Sequence, residues 1–230
     1  MSSSSCGGQK TKLLFLISAV ILCQLENSSL SNNQWNQFRG PKGDGTSTAK
    51  QLPKAFDEEV NVTWKTRISG TGWSSPVIWE NDIWISSGDE ASKELRVICV
   101  SFETGKITKN IKVFDMVPRP RDPAYKYDSP HLNSPATPTP VVEEDRLFIS
   151  YGSQGIACID RKSGATLWKR RDLRIYQPVR QGSSPIVDTD TLYVAFDGTD
   201  QQYFIALYKS TGDTKWKTNR EIDTNWAKTL

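Results

Sequence analysis

Two cysteines and one histidine are the residues beyond the N-terminal segment whose types most often do chemistry. Cys99 and Cys158 could form a disulfide in an exported protein or ligate a metal, and His131 could act as a general base. The partners that such sites need are missing, because the sequence has a single His and no C-x-x-C pair. The string nearest to a G-x-S-x-G nucleophile motif, residues 152–155, is typical of a loop. We therefore predict no catalytic residue and no metal site.

An acidic pair near the C-terminal end is the next candidate. The string Asp197–Asp200 is similar to the opening of a calcium-binding loop, but the twelfth position, where such a loop needs a Glu, is Tyr208. We predict a turn between two strands here instead.

The segment from Lys109 to Asn133 is the most irregular part of the chain. It contains the proline-rich string FDMVPRPRDPAYKYDSPHLN and is far longer than the usual connection of about four to six residues. Loops on rigid scaffolds carry function disproportionately often. We predict a partner-binding loop, with a passive insertion as the alternative. Its candidate residues are Arg119, Arg121, Tyr125, Tyr127 and His131.

The charge balance argues against a nucleic-acid partner. Lys and Arg number 29 and Asp and Glu number 26, which gives a net charge of +3. Proteins that bind nucleic acid normally carry a stronger basic footprint. We predict no nucleic-acid partner.

The N-terminus has the pattern of an export signal. Lys10 and Lys12 precede an apolar run of about ten residues, Leu13–Leu22, which is too short to span a bilayer. We predict a signal peptide over residues 1–26, with an uncertain cleavage site, and a periplasmic or extracellular protein. Cys23 ends this run, but the residue directly before it is Leu22, whereas a lipoprotein signal normally has a small residue directly before its cysteine. Lipidation and an uncleaved anchor remain alternatives, so membrane association through this segment stays open.

The strands that must position any site belong to a repeat in the sequence. Three stretches align without gaps on a proline, namely Pro76–Ser86, Pro140–Ser150 and Pro185–Ala195. The seventh and ninth positions after the proline are aliphatic in every copy, while the position between them is always aromatic. Such alternation places apolar residues on both faces of a strand. With a polar, turn-compatible segment before it, each copy predicts a hairpin whose second strand is sandwiched.

A third strand follows each hairpin, and its composition explains the two cysteines. Cys99 and Cys158 occupy the same position of the repeat as Ala206. A free cysteine often behaves as a small buried hydrophobe. Equivalent positions on neighbouring units should also lie beyond the ~7 Å limit for a disulfide. We predict that both cysteines pack in the core.

A glycine and a tryptophan mark the end of each repeat. A Gly, suited to a tight turn, lies six residues past the third-strand position just described, at 105, 164 and 212. Trp168 and Trp216 each follow this Gly by four residues, and Lys109 fills the slot in the first copy. Their fixed place predicts that the tryptophans pack between units. Trp64 resembles the fourth strand of a still earlier unit.

Four short antiparallel strands repeating about every 45 residues predict a β-propeller. The fold class is therefore all-β, with about three four-stranded blades, at approximately 74–110, 137–170 and 183–218. Closed propellers typically have about four to eight blades. We expect an incomplete ring, whether a fragment, a truncated product or one part of an assembled ring.

The strings SSPVIWENDIWI, IACIDRKSGATLWK and FIALYKSTGDTKWK resemble the PQQ-like β-propeller repeat, and the resemblance covers residues 34–230. That family includes BamB-type outer-membrane assembly factors and quinoprotein alcohol dehydrogenases. PQQ enters only through this resemblance. The enzymes of the family have adjacent cysteines beside the quinone, and this sequence has no Cys-Cys pair.

A fold does not imply a function, so the resemblance leaves several functions open. The favoured interpretation is an exported, non-catalytic binding or scaffold module with protein partners in the cell envelope. The alternatives are a fragment of a PQQ-dependent oxidoreductase and a BamB-type outer-membrane assembly factor.

Overall fold

The computed structural model describes residues 34–50, 52–118 and 132–220. Within them the chain forms three four-stranded antiparallel sheets, here called blades 1, 2 and 3. Blade 1 contains β1 (Val77–Trp79), β2 (Asp82–Asp89), β3 (Glu94–Ser101) and β4 (Ile107–Asp115). Blade 2 contains β5 (Val141–Val142), β6 (Arg146–Ser150), β7 (Ile156–Asp160) and β8 (Thr166–Arg170). Blade 3 contains β9 (Ile186–Asp188), β10 (Thr191–Asp197), β11 (Gln202–Tyr208) and β12 (Thr214–Asn219).

Each blade is a meander in which every strand pairs with the next along the chain. The hairpins expected after the repeated prolines are present, for example with Val141 opposite Phe148 and Ile186 opposite Tyr193. The prediction of an all-β fold made of propeller blades is confirmed. Among the described residues there is a single 3₁₀ turn, Gly152–Gln154, in the string predicted as a loop. No helix in that part of the chain is long and apolar enough to cross a membrane.

The core lies between the blades, as the alternating pattern predicts. Trp84 is fully buried in one cluster with Leu147 and Ile149 of blade 2. Phe148, which points the other way from β6, is buried in a second cluster with Leu192 of blade 3. The aromatic residue of the second strand therefore faces the following blade in blades 1 and 2, while the aliphatic residues of the second strand face the preceding blade in blades 2 and 3.

The predicted packing of Trp168 between blades is confirmed. Gly212 adopts a φ of +77°, and a Cβ there would lie 2.6 Å from Cε3 of the Trp168 ring. The Trp168 indole N–H donates to the carbonyl of Lys209 at 2.8 Å. Two constraints therefore favour glycine at this turn. The backbone is left-handed, and the tryptophan ring lies where a Cβ would be.

The same contact recurs before blade 1, where the sequence suggested a strand. Trp64 is not in a strand, so that prediction is wrong. Its ring nevertheless packs on Gly105, and its N–H donates to the carbonyl of Phe102 at 2.9 Å. At the remaining turn glycine, Gly164 of blade 2, the neighbour is Ile111. Blade 1 has Lys109 at the position where blades 2 and 3 have the tryptophan.

The two cysteines are buried in these interfaces. Cys99 and Cys158 have no exposed surface and are not disulfide-bonded, which confirms that they pack in the core. Asp197 ends β10 and the next strand begins at Gln202, so the acidic string is a turn, as predicted.

Candidate functional site

A cavity of about 510 Å³ opens at one rim of the blades. In an antiparallel meander, the turn between the second and third strands lies at the same end as the connection to the next blade. The cavity is built from these segments of blades 1 and 2 and is here called the rim pocket. It is lined by Glu90, Lys93, Leu95, Met116, Val117, Pro118, Ser134, Pro135, Tyr151, Ser153, Gln154, Ile175, Gln177, Arg180 and Gln181.

The floor of the rim pocket is apolar. Leu95 and Ile175 are buried there, and Tyr151 is 4% exposed. The Tyr151 hydroxyl donates to the carbonyl of Arg96 at 2.6 Å, and its ring meets Phe114 edge-on. Burial raises the pKa of Tyr151 far above its ordinary value, so this hydroxyl stays neutral. The floor therefore offers apolar contact with a fixed polar anchor beneath it.

The mouth of the pocket carries charge. Arg180, on the connection between blades 2 and 3, pairs at 2.6 Å with Glu90, on the turn between β2 and β3. Asn133 donates to the Arg180 carbonyl at 3.2 Å. Arg180 and Lys93 both adopt a positive φ, +64° and +58°, which is unusual for residues with a Cβ and tends to occur at functional positions. The ion pair thus joins segments 90 residues apart at the mouth.

The walls are tied together by side chains that bond to backbone. Gln154 accepts from the N–H of Val117 at 2.9 Å and donates to its carbonyl at 3.0 Å. Ser153 donates to the carbonyl of Ile175 at 3.0 Å and accepts from its N–H at 3.3 Å. Because these bonds link blade connections to the turn after β6, we infer a preformed pocket.

One buried acceptor in the wall is left without a donor. Gln181 is 6% exposed, and its side-chain nitrogen donates to the carbonyl of Ala195 at 2.5 Å. Its Oε1 is buried and has no hydrogen-bond partner within the described part of the chain. Buried polar atoms are normally satisfied, so this oxygen is an exception within the wall of the pocket.

The residues predicted for partner binding, Arg119, Arg121, Tyr125, Tyr127 and His131, lie outside the described residues. Pro118, the last described residue before them, and Ser134, shortly after them, line the rim pocket.

Sequence reasoning did not single out Glu90 or Arg180. One signal was available, since blade connections and β2–β3 turns must share a rim in any up-and-down blade. Their pairing across 90 residues could not be derived from that rule.

Two features of the described residues bear on cofactor and thiol chemistry. They contain no group of three or more His, Cys, Asp or Glu side chains that could hold a metal ion. Burial raises the pKa of Cys99 to about 11 and that of Cys158 to about 12, which keeps both thiols protonated and unreactive. The described part of the chain thus presents no set of side chains that fits a metal-bound quinone.

Comparisons with known proteins agree with the repeat. Residues 126–218 match the family model described as outer membrane protein assembly factor BamB. No curated protein sequence matches the chain.

A solved structure with a TM-score above 0.5 has a similar fold. A europium-containing methanol dehydrogenase is 12% identical with a TM-score of 0.64, over 84% of this chain and 33% of that one. BamB from Moraxella catarrhalis is 18% identical with a TM-score of 0.49, over 70% of this chain and 41% of that one. The chain therefore spans less than half of the length of either protein, and at such identities the likeness concerns the fold alone.

Proposed function

We propose that this chain, whose blades carry the PQQ-like repeat, is an exported, non-catalytic binding or scaffold module that docks a protein partner at the rim pocket. The observation that carries the proposal is the pocket itself, with an apolar floor, a charged mouth and walls fixed by hydrogen bonds. Export is supported by the predicted signal peptide over residues 1–26. The long segment with Arg119 and Tyr125 supports docking at this rim, because Pro118, which directly precedes Arg119, lines the pocket.

The composition of the pocket suits a protein surface. Interfaces combine an apolar centre with a polar rim, and arginine is enriched in them. Met116 supplies apolar contact, while Arg180 and Lys93 can meet acidic groups of the partner.

The class of partner is suggested by the matched family model. The protein it describes is an outer membrane assembly factor. We therefore propose that the partner belongs to the outer-membrane assembly components of the cell envelope. The same likeness makes a BamB-type assembly role the more specific form of this proposal.

Photo-crosslinking from the rim tests the proposal. A benzophenone amino acid replaces Pro118, which lines the pocket and is exposed, and a matched chain carries it at Tyr208, which is 41% exposed at the opposite rim. We expect irradiation of cells to join position 118 to an outer-membrane assembly component. Arg180→Glu should remove this product. Equal products from position 208, or none from 118, would overturn the docking proposal.

Catalysis is tested separately on the purified full chain. PQQ and Ca²⁺ are added with an alcohol and a redox dye. We expect no dye reduction above the protein-free control, whereas turnover would establish the oxidoreductase alternative.

A further inference from the structure

The end of β8 and the connection that follows it form a basic stretch. Residues 169–174 read KRRDLR, and residues 169–180 together contain five cations and one carboxylate. Lysine and arginine are mostly found exposed on protein surfaces, so the composition alone does not indicate a binding site. The positions and partners of the side chains carry more information.

Two of the five cations have a carboxylate partner. Arg170 donates to Asp172 at 2.6 Å, and Arg180 pairs with Glu90 at 2.6 Å. The other three have no carboxylate partner among the residues that the structure describes. These three, Lys169, Arg171 and Arg174, are here called the basic corner.

The basic corner is held in place by contacts other than ion pairs. Arg171 donates to the carbonyl of Gln154 at 3.1 Å and to the carbonyl of Asp115 at 2.6 Å. Its guanidinium lies 5.1 Å from the centroid of the Phe114 ring, and the ammonium of Lys169 lies 5.4 Å from the same centroid. The ring attracts both cations but leaves their charge in place.

The neighbouring carboxylate already has a cation of its own. Asp115 pairs with Lys112 at 2.7 Å. The hydrogen bond from Lys112 is the main cause that lowers the pKa of Asp115, and the charges of Arg171 and Lys169 lower it further. Because Lys112 neutralises Asp115, the positive charge of the basic corner is left in excess.

The basic corner follows an edge that spans three blades. Arg171 reaches the carbonyl of Asp115 in blade 1. The carbonyl of Arg174 accepts from the side chain of Gln201, on the turn between β10 and β11 of blade 3, at 2.9 Å. Sites for a single anion are typically concave, whereas cations spread along an edge suit a surface that carries many anionic groups.

The exposed part of the basic corner is polar. Lys169 and Arg174 are exposed and Arg171 is half-buried, while the Phe114 ring beneath them is only 4% exposed. The centre of a protein interface is normally apolar, and the three cations do not supply such a centre. Lipid headgroups need none, because cations close to an anionic membrane are attracted by its surface potential.

The opposite end of the blades has the opposite charge. Its turns and their flanking residues contain ten Asp or Glu against five Lys or Arg. They comprise residues 80–82, 102–106, 143–146, 160–165, 188–190 and 208–213. An anionic surface repels this end, so the charge distribution favours one orientation of the blades.

We propose that the basic corner binds the phosphate groups of an anionic lipid surface and turns the rim-pocket end of the blades towards it. The predicted signal peptide would bring the chain to the cell envelope, where such surfaces are present. The proposal goes beyond the docking of a protein at the rim pocket and does not depend on it.

Vesicle binding of the full chain tests the proposal. Partition into vesicles of phosphatidylcholine is compared by sedimentation with partition into vesicles that contain about 30% phosphatidylglycerol, at about 0.1 M salt. Insertion of the apolar run Leu13–Leu22 would contribute to both, so the ratio of the two partition coefficients isolates the effect of charge. We expect a ratio of at least about ten.

Two variants with the same change in net charge locate the effect. Lys169→Gln/Arg174→Gln neutralises two cations of the corner and leaves the contacts of Arg171 in place. The control Lys106→Gln/Lys162→Gln neutralises two exposed cations at the opposite end, neither of which forms an ion pair within the described chain. We expect the first variant to lower the ratio about tenfold or more and the control to change it less than about twofold.

Several outcomes would overturn the proposal. A ratio near one for the native chain would exclude an anionic lipid surface, and equal losses in the two variants would mean that net charge alone is responsible. Release of the native chain by inorganic phosphate, under an ionic strength at which chloride leaves it bound, would indicate a site for a single phosphate ion.

A protein occupant would give a different result. Lys169→Gln/Arg174→Gln would then abolish the crosslink from position 118 and leave vesicle binding unchanged. Under our proposal this variant loses vesicle binding, whereas the crosslink in the native chain tests only the rim pocket. The two proposals can therefore fail separately.

Discussion

The indole N–H of Trp168 in blade 2 donates to the carbonyl oxygen of Lys209 in blade 3, and the two atoms are 2.8 Å apart. The same lysine sends its ammonium to Glu143 of blade 2 at 2.6 Å. One residue therefore receives the tryptophan and closes the ion pair, so packing and charge act at one point of the blade boundary.

Removing the tryptophan ring should destabilise the protein strongly. We expect Trp168→Ala to lower the free energy of unfolding by about 3–5 kcal/mol, because it opens a cavity between two blades. Trp216→Ala is the matched control and should cost well under half as much, since that ring is already 39% exposed. Urea unfolding followed by circular dichroism measures both. Equal losses would mean that the inter-blade position contributes nothing special.

Filling the glycine turn should reveal how closely the ring approaches. Gly43 has a φ of +68° and open space around it, so Gly43→Ala should cost only the backbone strain of about 1–2 kcal/mol. Gly212→Ala adds a clash with Trp168 and should cost about 1–3 kcal/mol more. Thermal unfolding of the two variants gives the comparison. A difference near zero would show that the ring moves aside freely.

The buried guanidinium of Arg161 should be worth more than a surface pair. Its side chain is 6% exposed, pairs with Asp82 at 2.6 Å, and donates to the carbonyl of Glu144 at 2.8 Å. We expect Arg161→Met to lower the free energy of unfolding by about 2 kcal/mol, because Asp82 loses its partner in a partly buried site. Lys65→Met breaks an exposed pair with Glu58. It should leave the free energy of unfolding unchanged within error. The Arg161 hypothesis fails if the two variants unfold alike.

The two core thiols should make the protein less stable in alkali. Burial raises the pKa of Cys99 from the ordinary 9.0 to about 11, and that of Cys158 to about 12. Above pH 9 the unfolded thiols lose protons that the folded ones keep, so the free energy of unfolding falls as pH rises. Below pH 9 their contribution is constant.

A difference measurement isolates this effect from other titrating groups. Urea unfolding is compared at pH 7.5 and pH 10 for the native chain and for the double variant Cys99→Ala/Cys158→Ala. We expect a smaller alkaline loss in the double variant. Identical losses would contradict the assignment of the effect to the thiols.

Much of the fold was predictable because the repeat is short-range. Alternation around Trp84 and Phe148 identifies strands covered on both faces, and a glycine at a fixed distance identifies each turn. Trp64 was misassigned because the signal that places it is a contact with Gly105, 41 residues away, and such a contact does not require a strand. The exposure of Trp216 could not be predicted from the sequence either, since its sequence context matches that of Trp168.

The sequence by itself determined the blade, its strand order and the direction in which each side chain points, because these follow from a period of two and from turn chemistry. Only the tertiary structure decided what the blades do to one another. The pairing of Arg180 with Glu90 and of Arg161 with Asp82 joins residues about 80 to 90 positions apart. Such contacts depend on how neighbouring sheets stack in space, and local residue patterns carry no record of that stacking.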